Sequence, residues 1–184
     1  LLAHGLNDAE RELESLRTFQ ARGMDGVICA PGHEHDPALI ALMNAMSMPI
    51  VLYDREMPGT RADALLFDHV SGMKNACARL FALGHRRIAL ALWSAGSRPV
   101  RKRIEGYKPD LILRQPTPTS SVHDDLLRLL DGPEPPTALI AQGTHILVSA
   151  LRAVARTGRR IPQDFSVVSI GESDFTPTHE PAIT

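Results

Sequence analysis

Leu83-Gly84-His85-Arg86-Arg87-Ile88-Ala89-Leu90 is the stretch on which the fold reading turns. Gly84 follows a helix-length segment and supplies the left-handed residue that stops a helix without a Cβ penalty. His85, Arg86 and Arg87 then stand as cations near the helix's negative end. The run Ile88-Ala89-Leu90-Ala91-Leu92 carries no polar residue, which marks a strand covered on both faces of a parallel sheet.

Working outward, strand-like and helix-like segments alternate along the chain. Residues 1–4 read as the end of a strand, and residues 8–22 as a helix with Asn7 as its cap. Strands are expected at 26–30, 49–53, 64–67, 88–92, 111–113, 138–141 and 165–170. Helices are expected at 37–46 (capped by Asp36), 71–83, 100–107, 121–130 and 146–156. Short apolar strands separated by helices define an α/β protein with parallel sheets flanked by helices. Right-handed crossovers then gather the strand C-termini on one edge, where ligands of such folds bind. Phe67-Asp68-His69-Val70-Ser71 reads as a crossing between two lobes, and the neighbourhood of Pro177 and Pro181 as a crossing back. Two gaps stand out. A parallel lobe needs a strand and helix ahead of Leu1, and Tyr107-Lys108 runs so abruptly into Pro109 that residues are expected to be missing there.

Composition narrows the function classes. With 184 residues, 43% hydrophobic and 22% charged, the chain can bury a real core. A net charge of −1 offers no bulk attraction to nucleic acid or anionic membranes. Cys29 and Cys77 are too few for a disulfide framework and read as small buried thiols. No apolar run reaches membrane-spanning length, so a cytoplasmic location is the default.

Several motifs, taken in order, resemble the lactose-repressor (LacI/GalR) family of transcriptional regulators. They are Gly23-Met24-Asp25-Gly26-Val27-Ile28, Pro49-Ile50-Val51-Leu52-Tyr53-Asp54-Arg55, the Gly84 junction, and Arg103-Ile104-Glu105-Gly106-Tyr107. Pro136-Thr137-Ala138-Leu139-Ile140-Ala141, Ile161-Pro162-Gln163-Asp164-Phe165-Ser166-Val167-Val168 and Pro181-Ala182-Ile183-Thr184 complete the set. No single motif is specific; their order is. The resemblance implies a two-lobed effector-binding domain with the periplasmic-binding-protein-like (type I) fold, each lobe a parallel sheet flanked by helices. The lobes would be residues 1–69 plus 175–184, lacking a first strand and helix, and residues 70–174. It also implies a homodimer that reaches operator DNA through an N-terminal helix-turn-helix not contained in these residues.

Arg103 is the leading ligand-binding candidate, since a guanidinium presents five donors in a rigid fork suited to vicinal hydroxyls or a carboxylate. Its competing reading is a solvated helix face beside Arg98, Arg101 and Lys102. Ser94, Gly96 and Ser97 form the preceding turn, where hydroxyls and free N–H groups can receive an oxygen-rich ligand. Ser97 could equally cap the helix. Asp54 ends a strand at the same kind of edge and could accept from hydroxyls or pair with Arg55. Gln142 replaces an asparagine usual in the family, and Gly171-Glu172 stands where many relatives carry an aspartate. Loss of that carboxylate beside Arg103 and Arg98 favours an anionic ligand. The expected effector is therefore a sugar, and by preference a sugar acid or hydroxy-carboxylate.

Other features take plainer readings. His33-Glu34-His35-Asp36 reads as a solvated loop rather than a metal cluster. His123-Asp124-Asp125 reads as charge placed at a helix start. His145 and Trp93 either touch ligand or do not, Trp93 through stacking or core packing. No nucleophile elbow, phosphate-loop lysine or dinucleotide fingerprint occurs, so no enzyme activity, cofactor or metal is expected. A ligand-sensing domain of a repressor is the leading function. A solute-binding protein of an ABC transporter, with the same architecture, is the alternative.

Overall fold

The computed structural model describes residues 1–93, 96–116, 120–171 and 175–183, the side chain of Phe175 excepted. By contacts the chain divides into unit 1, Leu1–His69 with Ala95–Arg103, and unit 2, Val70–Ser94 with Ile104–Thr184. Both are α/β, and every strand pairing is parallel.

Unit 1 holds α1 (Ala9–Ala21), β1 (Val27–Cys29), α2 (Pro37–Ala45), β2 (Ile50–Tyr53) and β3 (Asp63–Leu65). Its sheet runs β1-β2-β3. The cap of α1 is Asp8, whose carboxylate accepts from Arg11 N at 2.9 Å; Asn7, the expected cap, is left-handed at φ 58°. Asp36 caps α2 as expected, accepting from Ala38 N and Leu39 N at 2.8 and 2.9 Å, with Pro37 opening the helix. Leu16, Leu39, Met43, Val27, Ile50 and Leu52 form the core. Residues 1–4 are not a strand, and Leu1 and Leu2 are exposed. A strand needs a ladder partner, and β1 is paired only with β2.

Unit 2 contains α3 (His69–Ala82) from its second residue on, β4 (Ile88–Trp93), β5 (Leu111–Gln115), α5 (His123–Leu130), β6 (Ala138–Gln142), α6 (Gly143–Arg156), β7 (Ser166–Ile170) and α7 (Phe175–Thr178). Helix α4 (Arg98–Tyr107) gives its first turns to unit 1 and its last to unit 2. The sheet order is β5-β4-β6-β7. In the centre, Ala89, Leu90, Ala91, Leu92 and Leu139, Ile140, Ala141 are all 0% exposed, so both faces are covered as the apolar runs predict. Ala89, Ala91, Leu139 and Ala141 pack with Leu126, Ile146, Leu147 and Phe165.

The opening motif folds as read. Gly84 sits at φ 95° and donates to Phe81 O, while His85 N donates to Leu80 O, a Schellman stop to α3. Arg86 donates to Phe81 O and His85 O, satisfying carbonyls at the helix end. His85 departs from the cationic reading. Its ring bonds Thr137 Oγ1 and Ser166 Oγ at 2.8 and 2.9 Å, and burial holds its pKa below the ordinary 6.5. Gly106 permits close packing, since a Cβ there would lie 2.7 Å from Val70 O and 2.8 Å from Met73 Cβ. Tyr107 then donates to Ile88 O at 3.1 Å.

The assignment of residues 175–184 to the first lobe differs from the observed grouping, because Ile183 lies in the core of unit 2. Both cysteines are free thiols raised to about 11, by burial first, so neither is a thiolate at neutral pH.

Candidate functional site

Unit 1 gathers an unusual density of buried charge at the C-terminal end of β2. Asp54 follows that strand at φ 55°, a left-handed conformation that aspartate tolerates better than most residues. Its N–H donates to Leu65 O at 2.7 Å, and its residue is only 8% exposed. The carboxylate is fully engaged. His69 Nε2 lies 2.7 and 3.0 Å from its two oxygens, and Arg98 Nη1 and Phe67 N approach Oδ1 at 3.4 Å. Of the readings open for Asp54, pairing is the one observed, though its partners are His69 and Arg98. Arg55 bonds the Asp54 carbonyl at 2.9 Å instead of the carboxylate, and Pro31 O at 2.7 Å.

Glu34 is the second buried carboxylate, 2% exposed. Both of its oxygens accept from Arg98 N, at 2.8 and 2.9 Å, so this distant loop supplies the anion at the start of α4. Arg101 Nη1 donates to it at 2.9 Å, and Arg55 Nε lies 3.9 Å away. The solvated-loop reading of residues 33–36 is therefore corrected. Glu34 is an internal counter-ion, His33 pairs with Glu12 at 3.1 Å, and Asp36 caps α2. Local sequence held no sign of this, because the partners lie 64 and 67 positions away. Ser97 is 5% exposed and its carbonyl accepts from Arg101 N at 3.1 Å, opening the α4 ladder.

Arg103 is buried, not a member of a solvated face, and is 9% exposed. Its Nε and Nη1 have no hydrogen-bond partner among the described residues. Burial lowers its pKa, Asp54's charge opposes that, and Arg55's charge adds to it. A guanidinium stays charged nonetheless. Asp54 and Arg55 are the charges that act on it, while Arg55, Arg98 and Arg101 share the carboxylates of Asp54, Glu34 and Glu56.

The remaining candidates lie elsewhere. In unit 2, Gln142 ends β6 and its Oε1 accepts from Trp93 N at 3.3 Å; both side chains are partly buried. Gly171 follows β7 at φ 99°, and His145 is exposed on α6. Gln115, unremarked in the sequence, ends β5 in register with Trp93 and is 2% exposed. Its only signal was a polar residue two positions after the apolar run Leu111-Ile112-Leu113. Ser94 and Glu172 lie outside the described residues. The structure therefore groups Asp54, Ser97, Arg98 and Arg103 in one unit and places Gln142 and Gly171 in the other, while His69 and Glu34 are additions. Among the described residues no cluster of three or more metal-ligating side chains occurs, and no helix is long and apolar enough to cross a membrane.

Both units are parallel sheets with helices, and buried polar side chains follow their strand ends. A model of the periplasmic binding protein-like domain matches residues 77–184, more than half of the chain. The chain belongs to that family, in its LacI/GalR branch, as the sequence resemblance implies. It is 28% identical over 179 residues to the ribose operon repressor of Haemophilus influenzae, covering 91% of this chain and 53% of that one. It is 24% identical over 190 residues to the transcriptional regulator DegA of Bacillus subtilis, covering 96% and 56%. The chain thus spans about half the length of these curated relatives. Among solved structures, a Burkholderia thailandensis protein assigned as a ribose operon repressor superposes with a TM-score of 0.82 at 29% identity. That match covers 100% of this chain and 71% of the other. A sugar-binding LacI-family regulator of Escherichia coli, solved with phosphate, gives 0.76 at 25% identity, covering 100% and 70%.

Proposed function

We propose that this chain is the effector-sensing part of a LacI-type transcriptional repressor, with no enzymatic activity of its own. The observation that carries the reading is Arg103, a buried guanidinium with two unpartnered nitrogens, in a chain whose relatives are regulators. Buried donors left without a partner cost stability and suit a site completed by a ligand. The effector of this reading is a small sugar or sugar acid. Arg103 and Ser97 belong to the binding set on one lobe, with Arg98 and Asp54 supporting them. Gln142, Ser94, Gly171 and Glu172 belong to it elsewhere. The ligand favours one lobe arrangement, and only its differential affinity moves the equilibrium. That shift would control operator binding by a cytoplasmic homodimer through an N-terminal DNA-binding domain.

The test is the full-length gene product on DNA from its own upstream region, followed by fluorescence anisotropy with and without added sugars and sugar acids. Effector-dependent binding is expected. A secretion signal upstream of Leu1 together with absence of DNA binding would overturn the proposal in favour of a transporter's solute-binding protein.

A further inference from the structure

Helix α4 opens against its own electrostatics. Arg98, Arg101, Lys102 and Arg103 stand in its first half, and no acidic residue stands in its first turn. A helix start already carries partial positive charge, so cations there are unfavourable and an acceptor is wanted. Pro99 brings no N–H, which makes the Arg98 N–H the leading donor of the turn. Its acceptor comes from another part of unit 1. Glu34, in loop 31–36 between β1 and α2, takes the Arg98 N–H on both carboxylate oxygens, at 2.8 and 2.9 Å. Arg101 Nη1 donates to the same carboxylate at 2.9 Å, and Arg55 Nε stands 3.9 Å away. The rest of the loop is fastened elsewhere. Gly32 N and His33 Nδ1 meet the Glu12 carboxylate of α1 at 2.8 and 3.1 Å, Pro31 O accepts from Arg55 Nε, and Asp36 caps α2. The sequence reading gives the turn before α4 free N–H groups for an oxygen-rich ligand. In the structure the protein's own carboxylate holds the Arg98 N–H.

We propose that loop 31–36 is a strap that closes the start of α4, with Glu34 standing in for a ligand's oxygen atoms at the Arg98 N–H and Arg101. The contact is autoinhibitory: a ligand reaches this turn only when Glu34 gives way. The fastenings to α1 and α2 hold the loop, so the part that yields is the Glu34 side chain. Apparent affinity is then reduced to the fraction of molecules in which Glu34 is released. This step rests on the effector-sensing reading and adds to it a residue that works against binding.

Chemical rescue in the full-length protein tests the strap. Glu34→Ala empties the seat by the volume of a small carboxylate, and sodium formate, exchanged for sodium chloride at constant ionic strength, is the probe. In chloride the variant is expected to melt below wild type. At hundreds of millimolar formate its melting temperature should rise, saturably, by about 3 °C more than that of wild type, whose seat is filled. The difference from wild type is the readout, because a general salt effect moves both proteins alike. A carboxylate that only held the fold would lower the melting temperature without leaving a saturable seat. Glu34→Gln, whose amide still fills the space, should respond like wild type, and Arg101→Met added to Glu34→Ala should remove most of the response. A formate effect in Glu34→Ala no greater than in wild type or Glu34→Gln, or undiminished in the double variant, overturns the inference. A Glu34→Ala protein that folds only in formate supports it; one that folds in neither salt overturns it. Operator binding is scored separately. A protein that binds DNA but shows no rescue keeps the regulator reading and loses the strap, and one rescued by formate that binds no DNA does the reverse.

Discussion

The sheet of unit 2 is covered on both faces at its centre, whereas that of unit 1 buries one face and leaves Ile28, Tyr53 and Leu65 exposed on the other. The contrast extends to chemistry. Unit 2 draws its order from aliphatic layers around β4 and β6, with hydrogen-bonded side chains at the margins such as His85. Unit 1 has a smaller aliphatic core and adds a buried ion network at one strand end. Apolar burial is non-directional and accumulates with area, so it suits stability. Buried charge needs specific partners and is sensitive to what is absent, so it suits recognition.

The largest test of that contrast is Leu139→Ala, which removes a fully buried side chain from the centre of unit 2. Urea unfolding should register a loss of about 3 kcal/mol. A loss below about 1 kcal/mol would show that the aliphatic layers do not dominate. Glu34→Ala comes next. It strips the carboxylate from the Arg98 N–H and from Arg101, whose side chain can still turn to water. We expect a cost of about 2 kcal/mol, read by hydrogen exchange as faster opening of unit 1 amides with unit 2 unaffected. Equal loss of protection in both units would erase the distinction.

A smaller effect is expected of Gly84→Ala, because φ 95° strains any Cβ-bearing residue although the space around it is open. Chemical denaturation should show a loss of about 1 kcal/mol. The smallest concerns pH. Burial holds His85 below its ordinary 6.5, so the unfolded chain binds its proton more readily than the folded one. Its contribution is therefore complete above the unfolded value and is lost as pH falls through the folded one. His85→Gln should flatten the acid limb of a stability–pH curve below about pH 6.5 relative to wild type. An unchanged limb would remove His85 from the account.

Much of the architecture was legible in the residues. The Gly84 stop, the Asp36-Pro37 helix start, the covered strands 88–92 and 138–141 and the parallel order all follow from neighbours within a few positions. The errors lie where local rules were ambiguous. Asp8 outcompeted Asn7 as a cap, and residues 1–4 met no ladder partner. The candidate site was only half visible. Arg103, Arg98 and Asp54 stood out by type and position, whereas Glu34 looked like a loop residue and His69 like part of a crossing.

Sequence alone determined the α/β class and the order of elements, because hydrophobic periodicity and helix caps are encoded over a single turn or strand; the family came from the resemblance of its ordered motifs. Only the tertiary structure decided which charges are satisfied. The Glu34–Arg98 and Asp54–Arg98 contacts join residues 64 and 44 positions apart, and no local pattern specifies a through-space pairing of that range. Whether Arg103 is solvated or buried without partners depends on the same long-range packing, since desolvation is a property of surroundings and not of residue type.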